Sequence, residues 1–589
     1  MTRLCLQLLA MFCASVAGFA TYSPAASPHQ GPCEQIVAAC RDAGFIQGGA
    51  STGDGVRIDC VDPVMQGVAS AKNRGKPLPE IDPQLVIACK SVNPNFGQPR
   101  QQQEQRTNAV AAQSIPLPTQ SVPAHAQAGP GGRPNIVFIL TDDLSWNLVQ
   151  FMPHVLKMQR DGVTFSNYFV TDSLCCPSRS SIFTGRFPHD TGIYRNTGVD
   201  GGYLAFRNRG HEAATFATAL SAAGYHTAML GKYLNGYLPV KHAPAPGWKS
   251  WAVAGNGYPE FHYNLNESGR IVRFGDEPAD YLTDVLSALA VRFIEQAAGM
   301  PFLIEVATFA PHAPYTPAPR DAAALPTVRA PRTPAFDAAP DAEAPAWLAR
   351  QPQLTAADVA LIDRAFRKRA QSVLAIDAMI GALQAAVAAI GGENNTYFVF
   401  SSDNGYHMGE HRLMPGKMTA FDTDIHVPMI VTGPGVPAGV TVDEIVDNVD
   451  LCSTFTELGS AAAPASVDGR SLVPLLHGQK VPPWRQVALI EHRGPHKDPT
   501  DPDAPSPRGG NPTTYEAIRA RASVYVEYAD GEKEFHDLAA DPHELHNTFS
   551  SLSAADKTTL GAMLAAMKNC HGTLNCWESA LPRGALAPR

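Results

Sequence analysis

The sequence predicts an α/β protein: a central, mostly parallel mixed sheet between helices, with a smaller C-terminal α+β subdomain and an N-terminal disulfide-rich module. Three observations carry that reading. Four short apolar runs, at 135–140, 227–230, 302–309 and 396–400, show no alternation, as expected of strands buried on both faces of a parallel sheet. Helical patterns lie between them, at 211–223 and 355–390, the second opening on a capping threonine, Thr355. Each run also ends near polar residues: Thr141-Asp142-Asp143, Gly231-Lys232, Pro311-His312 and Ser401-Ser402-Asp403-Asn404-Gly405. Strands that finish this way place a ligand at the carboxyl edge of the sheet. An aspartate pair after one strand is ordinarily a solvated turn, so the argument rests on four clusters agreeing on one edge.

Taken in order, the chain opens with Arg3, an apolar run at 4–19 and small residues at 17–20, the layout of a secretory signal peptide over 1–20. No other stretch reads as long and apolar enough for a stable membrane span. An exported protein is expected, periplasmic or secreted, or lysosomal in a eukaryote. At 589 residues the chain exceeds one ordinary core. Its net charge of -9 gives no general attraction to nucleic acid, so an anionic substrate must be held by local cations.

Of 11 cysteines, Cys5 and Cys13 leave with the signal. Cys33, Cys40, Cys60 and Cys89 allow three pairings, and they lack the Cys-x-x-Cys spacing of common zinc sites, which favours disulfides in an oxidising compartment. They define a small module at 32–97, to which we assign a docking or structural role. The Gln-, Pro- and Ala-rich stretch 98–133 has linker composition. A catalytic α/β domain is expected over 134–435, with a surface insertion at 322–352. In a subdomain over 436–589 the strands shorten, and 521–528 with 533–538 flank Asp530-Gly531 as a hairpin. Cys570 and Cys576 can close a small loop, and Cys452 is expected to be buried without a partner.

The stretch 173–185 reads Ser-Leu-Cys-Cys-Pro-Ser-Arg-Ser-Ser-Ile-Phe-Thr-Gly and places Cys175 at the entrance of a helix, with Pro177 in its first turn and Arg179 four residues on. Free amides and hydroxyls able to cap make such an entrance suited to an oxyanion. Cys-x-Pro alone reads as a buried structural cysteine. The full string resembles the type I sulfatase signature, with Phe183 where that family usually has leucine. The resemblance spans 134–576 and includes Asn448-Val-Asp450-Leu451, Asp468-Gly469-Arg-Ser471-Leu472, Phe535-His-Asp537-Leu538 and Asp541-Pro542-His-Glu544.

The resemblance implies an alkaline-phosphatase/sulfatase-like fold and conversion of Cys175 to formylglycine by a formylglycine-generating enzyme, the aldehyde hydrate being the nucleophile. It implies Ca2+, with Mg2+ as the alternative, held by Asp142, Asp143, Asp403, Asn404 and the modified Cys175, an oxygen-donor set suited to a hard cation. Arg179 matches the arginine that holds the formylglycine side chain. Lys232, in Met-Leu-Gly-Lys-Tyr, and Lys417, in Met-Pro-Gly-Lys-Met, match sulfate-contacting lysines. His312, in Ala-Pro-His-Ala-Pro, matches the histidine near the ester oxygen and is expected to assist leaving-group departure.

Gly231-Lys-Tyr-Leu-Asn235, Cys175-Cys176 and Ser402-Asp-Asn-Gly-Tyr-His407 resemble the N-acetylglucosamine-6-sulfatase branch. Leu234 and Asn235 stand where many sulfatases carry a histidine that helps expel sulfate; His189 or a metal-bound group is the expected substitute, and His407 has no assigned role. The substrate implied is a sulfated carbohydrate, N-acetylglucosamine-6-sulfate-like as in glycosaminoglycans, or an aryl sulfate. Two other readings stand beside it: a phosphodiester or phosphonate monoester hydrolase of the same superfamily, and a catalytically inactive sugar-binding homologue.

Overall fold

The unbroken apolar runs form the middle of a ten-stranded sheet in the computed structural model. The structure describes residues 32–46, 55–66, 77–82, 85, 86, 89, 132–481, 483–499, 501–506 and 508–581. The expected signal peptide and nearly all of the expected linker lie outside the described residues. Two compact units divide the chain, Met1–Val122 and Pro123–Arg589.

Edge to edge, the large sheet runs Val440–Val442, Val163–Phe165, Met429–Thr432, Thr396–Ser402, Asn135–Thr141, Phe302–Ala307, His226–Lys232, Ser250–Ala254, Asn264–Glu267 and Arg270–Arg273. From Thr396–Ser402 through Ser250–Ala254 the strands are parallel, and antiparallel strands flank them on both sides. Every residue of Asn135–Thr141 is buried because helices cover both faces. Ile136 and Phe138 pack on one face with Phe216 and Phe455, while Val137 and Ile139 pack on the other with Phe293, Phe366 and Ile380. Thr141 pairs with Ser402, and Leu140 and Gly231 both pair with Ala307, so the strand ends align. Gly231 allows this close approach: it has φ +94°, and a Cβ there would lie 1.9 Å from the Ala307 carbonyl oxygen.

The helix Ala356–Ala389 begins at Thr355 in a reciprocal capping box with Asp358. Its 34 residues would be long and apolar enough to cross a membrane by length and composition, but more than half of its most apolar window is buried within the fold, so it is a core helix and the expectation of no stable membrane span stands. Its interior positions include buried Arg369 and Asp377, and it contributes Ile362, Phe366, Ile376, Ile380 and Leu383 to the core. The expected helix at 211–223 is instead a 3-10 turn, His211–Ala213, followed by Phe216–Ala222. Thr215 and Thr218 cap one another and fix the later start. The 322–352 stretch carries one short helix, Ala346–Ala349.

Val487–His492, Tyr515–Ala520, Ser523–Tyr528 and Lys533–Asp537 form a separate antiparallel sheet, with Gly531 at φ +94° in its hairpin. Helix Ala554–Met567 covers one face through Leu560, Met563 and Leu564, and Ala488, Ile490, Val524 and Val526 join the core of the main sheet on the other. The Cys570–Cys576 disulfide follows that helix, and Cys452 is buried and unpaired.

In the first unit, helix Pro32–Asp42 places Cys33, Ile36 and Cys40 on one face by its 3.6-residue period. That face meets the turn Val56–Val61, and the pairing left open by the sequence is Cys33–Cys89 and Cys40–Cys60. Disulfides suit so small a core, built on Ile36, Phe45, Val61 and Met65.

Candidate active site

Helix Cys175–Thr184 is buried at every position, which its Cys, Ser and Thr residues allow by leaving little side-chain volume to accommodate, and it stops at Gly185 with φ +70°. The expected hydroxyl capping does not occur: Leu174 is the N-cap. Ser173 instead donates to the Thr419 carbonyl at 3.0 Å, and Ser178 donates to the Asp403 carbonyl. The Asn196 side chain takes up the Cys176 amide at 2.9 Å.

The helix entrance abuts the aligned strand ends. Cys175 Sγ lies 3.2 Å from Asp142 Oδ1 and 2.9 Å from Lys417 Nζ. Lys232 Nζ reaches Asp142 Oδ2 at 2.5 Å, and Lys417 Nζ reaches Asp143 Oδ1 at 2.6 Å. Arg179 Nε donates to Asp403 Oδ2 at 2.7 Å and its Nη1 to the Lys232 carbonyl at 2.9 Å, tying the helix to two strand tips. Asp143, at φ +64°, turns its amide to Asp403 Oδ1 at 3.2 Å. Asn404 Nδ2 donates to Asp143 Oδ1 at 2.7 Å, and His312 Nε2 lies 3.6 Å from Asp143 Oδ2. All nine sequence-predicted site residues, Asp142, Asp143, Cys175, Arg179, Lys232, His312, Asp403, Asn404 and Lys417, are thus brought together and buried.

Sequence reasoning missed Asp503. Its Oδ1 lies 2.5 Å from His312 Nε2 and 2.6 Å from Lys417 Nζ, and its Oδ2 accepts from Asn196 at 2.6 Å and Asn235 at 3.1 Å. The available signal was three aspartates punctuated by proline and threonine, Asp498-Pro-Thr-Asp501-Pro-Asp503, in a region read only as subdomain. Tyr258 was also missed; its ring lies 5.0 Å from Lys232 Nζ and 4.6 Å from the His312 ring.

His189 is placed differently from its expected substitute role. Its Nδ1 meets Glu491 at 2.8 Å and its Nε2 the Cys570 carbonyl at 2.8 Å, so both ring nitrogens are engaged in the C-terminal packing. His407 likewise bridges Asp424 and the Gly509 carbonyl and organises the loop that carries Lys417.

Burial dominates the electrostatics. It pushes the Cys175 thiol well above its ordinary value, reinforced by Asp142, Asp403 and Asp503. Burial would also lower both lysines, yet Asp142 holds Lys232, and Asp143 and Asp503 hold Lys417, well above the usual ammonium range. Burial raises Asp142 in spite of Lys232. For Asp403, burial is outweighed by Arg179, Lys232 and Lys417, which hold it below the usual range. His312 rises to about 9: burial opposes the proton, but Asp143, Asp503 and Asp142 outweigh it.

Four carboxylates, Asp142, Asp143, Asp403 and Asp503, therefore face Arg179, Lys232, Lys417 and a protonated His312. The donor atoms of Asp142, Asp143, Cys175 and His312 lie within 4.8 Å of one another. Asp143 Oδ2 and Asn404 Oδ1 are buried without a hydrogen-bond partner. Unmatched buried acceptors beside carboxylates fit a hard divalent cation. Beside these residues is a pocket of about 210 Å³ lined by His312, Tyr315, Tyr406, Lys417 and residues 502–506.

A buried thiol at a helix entrance, beside fixed ammonium and guanidinium groups and a cluster of carboxylates, is an arrangement suited to a hydrolase of anionic esters. Residues 134–461 match the Sulfatase family, and 409–569 match the C-terminal part of N-sulphoglucosamine sulphohydrolase. The chain is 34% identical over 478 residues to Homo sapiens N-acetylglucosamine-6-sulfatase, covering 75% of this chain and 85% of the relative. It is 28% identical to Volvox carteri arylsulfatase over 77% of this chain and 78% of that one. The solved structure of BT4656 in complex with its substrate D-glucosamine-2-N,6-O-disulfate has a similar fold, with TM-score 0.60 and 23% identity over 74% of this chain and 97% of the other. The chain belongs to the sulfatase family and is a sulfuric ester hydrolase.

Proposed function

We propose that this protein hydrolyses the 6-sulfate ester of an N-acetylglucosamine-like sugar, using formylglycine at position 175 and a bound divalent cation, Ca2+ in preference to Mg2+. The names of its relatives support the sugar, and its disulfides support an exported setting, periplasmic, secreted or lysosomal according to the host. The observation that carries the reading is the position of Cys175, at a buried helix entrance between Asp142 and Lys417.

Asp142, Asp143, Asp403 and Asn404 would hold the cation, which supplies Lewis-acid polarisation of oxygen. The aldehyde hydrate at 175 supplies a hydroxyl nucleophile that a thiol or serine cannot regenerate. Lys232 and Lys417 offer ammonium groups to the spectator sulfate oxygens, where charge-assisted hydrogen bonds are strongest in a dry site. His312 carries its proton at Nε2 and delivers it to the leaving alcohol oxygen. Arg179 fixes Asp403 and the end of the Lys232 strand, so the nucleophile and the cation pocket keep one geometry. Because Cys175 is fully buried, a formylglycine-generating enzyme must reach it before the chain folds.

Mass spectrometry of the peptide containing residue 175 should show the aldehyde in place of the thiol. Sulfated N-acetylglucosamine and aryl sulfates should be turned over faster than the matched phosphate esters. Cys175→Ser should stop after at most one turnover; continued steady-state turnover by that variant, or a preference for phosphate, rules the reading out.

A further inference from the structure

Asp503 comes from outside the motif-bearing segments, yet it engages the donors that a sulfate group needs. Its carboxylate is fully buried and touches Lys417 Nζ, His312 Nε2, Asn196 Nδ2 and Asn235 Nδ2. Two of these, Lys417 and His312, are the groups assigned above to a spectator oxygen and to the ester oxygen. A carboxylate and one edge of a sulfate group present the same pair of acceptor oxygens, so both cannot use these donors at once. The exchange conserves charge, because one carboxylate leaves as one sulfate monoester arrives, and no donor is left buried and unpaired.

The chain around Asp503 is built to let it leave. Its loop is pinched at the neck, where the His496 amide donates to Asn511 Oδ1 at 2.7 Å and Asn511 Nδ2 donates to the His496 carbonyl at 2.9 Å. At the far side the Gly509 carbonyl is held by His407 and the Arg508 carbonyl by the Met414 amide. Among the described residues, the backbone hydrogen bonds of 501–506 stay within the loop, from the Asp501 amide to Asp498 and from the Ala504 amide to Asp501. A loop with fixed ends and few outward backbone bonds can leave its seat and open locally without unravelling a helix or sheet. Residues 502–506 also form one wall of the 210 Å³ pocket, so their displacement would widen the space a sugar needs.

We propose that Asp503 is a resident anion that occupies the sulfate-binding donors in the resting enzyme and is displaced, with its loop, when a sulfate group binds. This rests on the sulfate-ester reading for the identity of the displacing group. In its resting place Asp503 keeps Lys417 and His312 aligned, and it sets a threshold that only an anionic group able to satisfy the vacated donors can cross.

Calorimetric titration of the full chain with sodium sulfate tests the proposal. Asp503→Asn should bind sulfate at least about tenfold more tightly than wild type, because an amide competes poorly for ammonium and imidazolium donors. Asp501→Asn removes a charge from the same loop without touching Lys417 or His312, and its sulfate affinity should match wild type. In wild type, hydrogen exchange of the Asp501, Asp503, Ala504 and Ser506 amides should accelerate on adding sulfate, a readout that survives if the Asp503 variant fails to fold. Equal or weaker sulfate binding by Asp503→Asn, equal tightening by Asp501→Asn, or unchanged exchange would each overturn it. The sulfate-ester reading is judged separately, by ester turnover in wild type. An active enzyme whose loop stays protected sinks the resident-anion proposal alone, and a loop released by sulfate in an enzyme without turnover sinks the ester reading alone.

Discussion

Replacing His189 with glutamine should remove a pH-dependent share of the stability while leaving the chemistry intact. In the structure its Nδ1 meets the buried Glu491 carboxylate and its Nε2 the Cys570 carbonyl, so both ring nitrogens act as donors and the ring is held as a cation. Burial alone would lower its pKa, but the Glu491 hydrogen bond and charge raise it to about 9, from an ordinary 6.5. At 1.36 kcal/mol per pKa unit, that difference corresponds to about 3 kcal/mol. The folded-state value lies above the unfolded one, so this stabilisation is fully present below pH 6.5 and is lost as pH rises through about 9. Urea unfolding of wild type and His189→Gln, followed by tryptophan fluorescence at about pH 6 and about pH 9.5, should show a stability gap that is larger at the lower pH by about 3 kcal/mol. Turnover per folded molecule should match wild type. A gap independent of pH would refute the assignment of a charged His189–Glu491 contact. A selective loss of kcat with unchanged stability would return His189 to the list of proton-transfer groups.

Arg179→Met would leave Asp403 buried without its cation and should destabilise the protein by about 3–5 kcal/mol in urea melts, with kcat/KM down at least about a hundredfold. Arg179→Lys keeps the charge but cannot reach both Asp403 and the Lys232 carbonyl, so it should fall between the two. Thr355→Ala removes the acceptor for the Asp358 amide at the start of the 34-residue helix and should cost about 1 kcal/mol in unfolding with kcat unaltered.

What the sequence determined by itself was whatever local periodicity and residue chemistry encode. Unbroken apolar runs are buried strands because only a sheet covered on both faces hides every side chain, and the polar residues at their tips share an edge because parallel strands end in register. The 173–185 string fixed a helix entrance, its thiol and its arginine. Cysteine spacing marked a disulfide module, but only the fold shows that Cys33 pairs with Cys89 and Cys40 with Cys60.

Tertiary structure alone brought Asp503 into the site and set the geometry between distant groups. Asp503 reaches His312 across 191 residues, and the motif-marked Lys417 meets Cys175 across 242. No local pattern encodes such contacts, since they depend on how the C-terminal sheet seats its 494–511 loop against the strand tips. The same holds for two of the histidines: the Ala-Pro-His-Ala-Pro motif singled out His312, but the structural uses of His189 and His407 emerge only once burial and a facing carboxylate, from Glu491 or Asp424, fix where each ring sits.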